Sequence, residues 1–211
     1  MTRLKWGSAG ERFFETGVDQ GVLYLPAQPG VAWNGLVAVS ENLTGGDATG
    51  YYVDGVKYAN VAANEEFEAT IVALSSPPEF AVCDGISQIH NGLFATQQPR
   101  KPFSFSYRTL VGNDVDGQEH GYKIHLVYNA LAAPSNKTSG SVNSQAVPSG
   151  YSWDITTLPP AITGYKRTAH LVVDSRYSDS EVLSDVEDLL YGTSMTAPAI
   201  PTPDDLIAMF A

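Results

Sequence analysis

Two runs of alternating residues, Phe103-Ser104-Phe105-Ser106-Tyr107-Arg108 and Tyr122-Lys123-Ile124-His125-Leu126-Val127-Tyr128, constrain the fold more than any other feature. A period of two sends successive side chains to opposite faces of a pleated strand, whereas a helix would scatter the same aromatics around its circumference. The segment between them, Gly112 to Gly121 (GNDVDGQEHG), is acidic and nearly free of apolar residues. The pair is therefore predicted to form a long hairpin with a projecting, mobile tip. Tyr51 to Tyr58 holds Asp54-Gly55 between β-branched and aromatic residues, as a type I′ hairpin requires. Glu66 to Leu74 alternates again, with Phe67, Ala69, Ile71 and Ala73 predicted inward and Glu66, Glu68 and Thr70 outward. Further strands fit Val31 to Val39, Tyr151 to Ile155 and Ala169 to Val173, and Ala132 to Gly150 reads as a surface loop. With 19 glycines and 13 prolines punctuating these runs, the chain is predicted to be mainly β.

One helix is predicted, from Ser178 to Tyr191. Ser178 and Glu181 form a capping box, and Val182, Leu183, Val186, Leu189 and Leu190 make one stripe opposite a row of acids. The ends look different from the middle. Phe13, Phe14 and Tyr24 lie scattered among glycines and prolines, and three prolines precede an apolar Leu206-Ile207-Ala208-Met209-Phe210. The expected organisation is an N-terminal arm over residues 1–30, a β domain over 31–192 and a C-terminal arm over 193–211.

The 211 residues suit one core. An excess of 23 acids over 12 cations, net −11, argues against a surface that grips phosphate. No apolar run approaches the length of a membrane span, and the first ten residues lack the apolar stretch of a secretory signal. Cys83 stands alone, so no intramolecular disulfide is expected.

The search for chemistry yields little. The sequence has no GxSxG, Walker A, HExxH, dinucleotide or CxxC string. Asp114, Asp116 and Glu119 resemble a fragment of a calcium loop but lack its remaining ligand positions, so a solvated turn is the expectation. His120 and His125 are five apart across a strand start and face opposite ways. Cys83 with His90 lacks an orienting context, so Cys83 is read as a small buried hydrophobe. Arg100-Lys101 is read as a solvated turn or as the partner of an acid on a neighbouring subunit. No catalytic, cofactor-binding or metal-ligating residue is predicted. A β domain with apolar arms, a projecting loop and no reaction site suits self-assembly, because unpaired strand edges are templates that a second copy can close.

Eight strings in order, RFFETGVDQGVLY, AWNGL, DGVKY, PPEFAVCDG, QQPRKPFSFSYRTLVGND, HGYKIHLVYNALAAPS, TAHLVVDS and LLYGT, resemble the major tail protein (tail tube protein) of long-tailed, siphovirus-type bacteriophages, especially those of actinobacteria. The resemblance implies a tail-tube-like β-sandwich or barrel flanked by one helix, with long hairpin loops and extended arms. It implies a homo-oligomer that forms rings, usually six-fold, stacked into a tube through which the double-stranded genome leaves. It also implies contact with tape-measure, tail terminator and tail-tip proteins, and residence in the virion tail after assembly in the host cytoplasm, with no cofactor and no membrane. The implied assembly contacts are Phe13, Phe14 and Tyr24 in the first arm and Leu206, Ile207 and Phe210 in the second. In the loops they are Asn42, Asp114, Asp116 and Glu119, the inter-ring loop being either Glu41–Gly50 or Gly112–Gly121. Glu66 and Glu68 are the candidate lumen-facing acids, where negative charge would let DNA slide without sticking. The alternatives are a minor tail or tail-tip protein, and a monomeric β-sandwich carbohydrate-binding module or hydrolase.

Overall fold

A computed structural model describes residues 3–135, 137, 141 and 150–211. The chain is mainly β, built around one eight-stranded antiparallel sheet. Its strands are β1 (Phe14–Tyr24), β2 (Val31–Ala32), β3 (Leu36–Gly45), β6 (Glu65–Ala73), β9 (Phe103–Asn113), β10 (Gly117–Ala132), β11 (Tyr151–Thr157) and β12 (His170–Asp174). They run in the order β2-β1-β9-β10-β11-β6-β3. The sixteen-residue β10 is long enough to serve two partners on one side, β12 along its middle and β11 at its end.

The two outermost strands are consecutive in the chain, which forces the sheet to curl. Only Trp33 to Gly35 separates β2 from β3, and the Trp33 amide donates to the Gly21 carbonyl of β1 at 2.7 Å. Inside the curl lies the larger core. Phe103, Phe105 and Tyr107 of β9 face Trp153 and Ile155 of β11 and Phe67, Ala69, Ile71 and Ala73 of β6, with Trp33, Phe80 and Cys83 filling one end. Trp153 meets Trp33 and Phe80 edge-on, with centroids 5.7 and 5.1 Å apart, an arrangement aromatic quadrupoles favour, and Trp33 and Phe80 meet at a tilt with centroids 4.7 Å apart. The inward set predicted for β6 is correct, and Cys83 is a fully buried hydrophobe whose thiol burial pushes up to about 12.

Outside the curl, over β1, β9, β10 and β12, lies a second core under α1 (Ser180–Tyr191) and α2 (Pro203–Met209). Val186, Leu190 and Leu206 cover Ile124, Leu126 and Val173. The predicted helix is present but its cap differs. Asp179 accepts from the Glu181 amide, while Ser178 Oγ is spent on the Asp174 carbonyl, so the helix starts after Ser178 rather than at it.

Three expectations need correction. The N-terminal arm is shorter than residues 1–30, because residues 14–24 are a full sheet strand whose alternation is broken by two register shifts against β9. The C-terminal segment does not extend freely: Pro198 accepts from the Gly30 amide, Ala199 donates to Leu189, and α2 docks on the second core. The tip of β9–β10 is a tight turn over residues 114–116, since the Asn113 side-chain carbonyl takes the amides of Val115 and Asp116 and lets pairing continue to Gly117. A short hairpin, β7 (Ser87–His90) with β8 (Leu93–Ala95), was not foreseen, and most of the Ala132–Gly150 loop lies outside the described residues.

Candidate functional site

The feature that stands clear of the body is a β-ribbon. β3 and β6 pair down to Gly45 and Glu65, and the segment between them forms β4 (Ala48–Val53) and β5 (Val56–Ala62), a separate two-stranded sheet. The bend between the two parts needs glycine: Gly45 has φ +80°, and a Cβ there would sit 2.4 Å from the Asn64 carbonyl oxygen. At the tip, Asp54 and Gly55 have φ +51° and +76°, the type I′ turn predicted from their sequence. Tyr51, Tyr52, Val53, Val56, Tyr58 and Val61 are all exposed, Tyr58 by 80%. An isolated two-stranded hairpin is marginal in water, and this one covers none of its apolar side chains against the body.

Beneath the ribbon, the outer surface of β11, β6 and β3 is bare. Glu66 and Glu68 alternate outward from Phe67 and Ala69, opposite Thr44 and Asn42, and Asp154 of β11 receives the Thr70 hydroxyl at 2.7 Å. The two predicted acids thus lie on one polar wall with Asp154, which the sequence reading did not include.

The other predicted residues scatter. Tyr24 is buried, its hydroxyl donating to the Leu190 carbonyl at 2.9 Å and lying 3.1 Å from Ser106 Oγ, and Leu206 is buried beside α1. Both are occupied by the chain's own second core, so their assignment as intersubunit contacts does not fit. Phe13 lies partly exposed against His120 and Arg176, and Phe14 is partly exposed at the start of β1. Ile207 and Phe210 line an apolar hollow with Val172 and Tyr177. Asp114 receives the Gly10 and Arg12 amides, and Asp116 bonds Asn113 and His120, so neither carboxylate converges with Glu119 as a calcium loop requires. Arg100 finds its acid within the chain, 3.9 Å from Asp84, and donates to the Ala132 carbonyl at 2.8 Å.

Sequence reasoning missed a polar plug in the mouth of the curled sheet. Glu41 of β3 is on the same face as Val39, so its carboxylate reaches inward to the Tyr107 hydroxyl (2.5 Å) and to His125 Nδ1 (3.1 Å). His125 and His170, from β10 and β12, meet at 3.1 Å. Their rings are only 10° from parallel with centroids 5.3 Å apart, so they meet edge to edge rather than face to face. The hydrogen bond with His125 holds the Glu41 carboxyl down at about 2 despite partial burial, and burial keeps His170 neutral down to about 4. Burial and the Glu41 contact push the Tyr107 phenol up. His120 does face away from His125, as predicted; the partner came from β12, 45 residues on, which local spacing cannot reveal.

No family model and no curated protein matches the chain. Among solved structures, it is similar to a chain of the sheath–tube complex of an extracellular contractile injection system (PVC) in the extended state, with 11% identity and a TM-score of 0.41, covering 81% of this chain and 93% of that one. A chain of the six-fold symmetrised baseplate of the anti-feeding prophage (AFP) gives 9% and 0.39 over 81% and 97%, and one from the PVC sheath/tube terminator in the extended state gives 8% and 0.38 over 81% and 99%. Likenesses this distant carry no weight for activity or assembly.

Proposed function

We propose that this chain is the structural subunit of a phage tail tube, joining copies of itself into rings that stack into a hollow tube for genome passage. The observation that carries this is the exposed ribbon of residues 48–62, whose apolar side chains and two free edges find no partner among the described residues. Backbone edges of that kind pair by strand addition, and a second copy of the chain offers the matching surface. The eight sequence strings supply the tail-tube reading and its partners: tape-measure protein in the lumen, terminator and tip proteins at the ends.

In this arrangement the helix-covered face turns outward and the wall of Glu66, Glu68 and Asp154 turns to the lumen. A negative wall repels the phosphate backbone and releases no counterions, so DNA slides. Of the two segments expected to reach the next ring, the ribbon continuing from Glu41–Gly50 is favoured over the compact Asn113–Gly117 turn. The chain acts without catalysis.

Electron microscopy of two purified proteins tests this: the whole chain, and a variant with residues 48–62 replaced by a short glycine turn. Rings or tubes from the first, and lone folded molecules from the second, are expected. Tubes from both, or from neither, would overturn the reading.

A further inference from the structure

Hydrogen bonding alone leaves the polar plug inconsistent. Thr109 gives its one hydroxyl proton to Glu15 Oε1 at 2.6 Å, so toward His125 Nε2, 3.0 Å away, it can only accept. Nε2 therefore carries a proton. On the other side of the ring, Nδ1 faces two groups at the same 3.1 Å, a Glu41 carboxylate oxygen and His170 Nε2. One proton at that nitrogen serves one of these contacts and leaves the other unmet, whereas a cation between the three donors serves all of them.

We propose that Glu41, His125 and His170 form a binding site for a divalent transition metal of the zinc class. One donor atom from each side chain lies within 4.8 Å of the other two. Zinc bonds of about 2.0–2.1 Å place neighbouring tetrahedral donors about 3.3 Å apart, close to the two 3.1 Å separations seen here. Two imidazoles and one carboxylate favour zinc, nickel or copper over the all-oxygen shells of calcium and magnesium. Both outer supports of such a site are in place: Thr109 holds the far nitrogen of His125, and Tyr107 donates to Glu41. The Glu41 side chain is 38% exposed, giving an ion a way in and leaving a fourth position for water.

The site joins β3 to the paired strands β10 and β12. Among the described residues β3, which carries the base of the ribbon, pairs with β6 and shares no ladder with β10 or β12. A bound metal fastens the ribbon's root to the helix-covered half of the sheet. This holds whether or not the chain polymerises.

Calorimetric titration of the dialysed full chain with Zn2+ is expected to give one equivalent, with Co2+ in the same site producing a visible absorption band that Zn2+ removes. Glu41→Gln and His170→Ala should each weaken Zn2+ by about 100-fold or more, and Thr109→Val, which removes only a support, by about 10- to 100-fold. Circular dichroism checks that each variant is folded. A His90→Ala/His120→Ala double variant, altering the two histidines outside the cluster, should bind as the original does. The proposal fails if the original chain takes up no stoichiometric Zn2+, if folded Glu41→Gln and His170→Ala bind undiminished, or if the His90/His120 variant is the one that loses the metal.

Discussion

The outer surface of the curled sheet has two halves of opposite character. Over β1, β9, β10 and β12 it is sealed by α1 and α2, and Ile124 and Leu126 point outward into a dry second core. Over β11, β6 and β3 it carries Glu66, Glu68, Asp154 and threonines, and its ladder runs on into a ribbon that covers nothing. One half is finished by the chain itself. The other ends in uncovered strand edges, and that difference separates where the chain makes its own stability from where the proposed assembly would make its contacts.

The largest effect should separate the halves directly. Leu190→Ala, at a fully buried helix position, is expected to cost about 2–5 kcal/mol, whereas Glu68→Ala on the bare wall should stay within about 0.5 kcal/mol. Urea denaturation of both variants measures this, and similar losses at the two sites would dissolve the distinction. Tyr24→Phe comes next, losing the hydroxyl bond to the Leu190 carbonyl for about 1 kcal/mol, read from the same curves.

On the bare half the consequences are electrostatic. Each added copy brings a net charge of −11, so salt, which screens beyond about 8 Å at physiological strength, should speed polymer growth in light scattering. Slower growth with added salt would contradict it. Glu66→Lys with Glu68→Lys should leave the melting temperature nearly unchanged and make assembled material retain DNA at low salt, measured by filter binding.

The smallest expected effect is an acid limb on the covered half. Its hydrogen bond from Arg176 holds the Asp174 carboxyl below its ordinary range despite burial. A depressed carboxyl stabilises fully above its unfolded value, about 3.9, and that contribution is lost as pH falls through the lower folded value. Asp174→Asn should therefore lower the melting temperature modestly at neutral pH, converge with the original chain at low pH, and so flatten the acid end of a melting-temperature profile.

What the sequence disclosed follows the same division. The ribbon turn was legible because Asp54-Gly55 is a local backbone requirement, and the inward set of β6 because one face meets water. β1 was not, since its bulges interrupt the period and its outer face lies under a helix. The Tyr122–Tyr128 alternation was visible, but its apolar set faces outward to α1 while His125 turns inward, an inversion decided by a helix some 60 residues away. Glu41 gave no signal at all. It sits among polar ribbon residues, and only the curl of the sheet brings it to His125 and His170.

Sedimentation velocity of the purified chain over a wide concentration range tests most directly whether its main partner is itself. Conversion of the 22.6 kDa species into a discrete ring-sized particle, and then into heavier multiples of it, is the expected result. A single 22.6 kDa boundary at every concentration and salt would contradict the account.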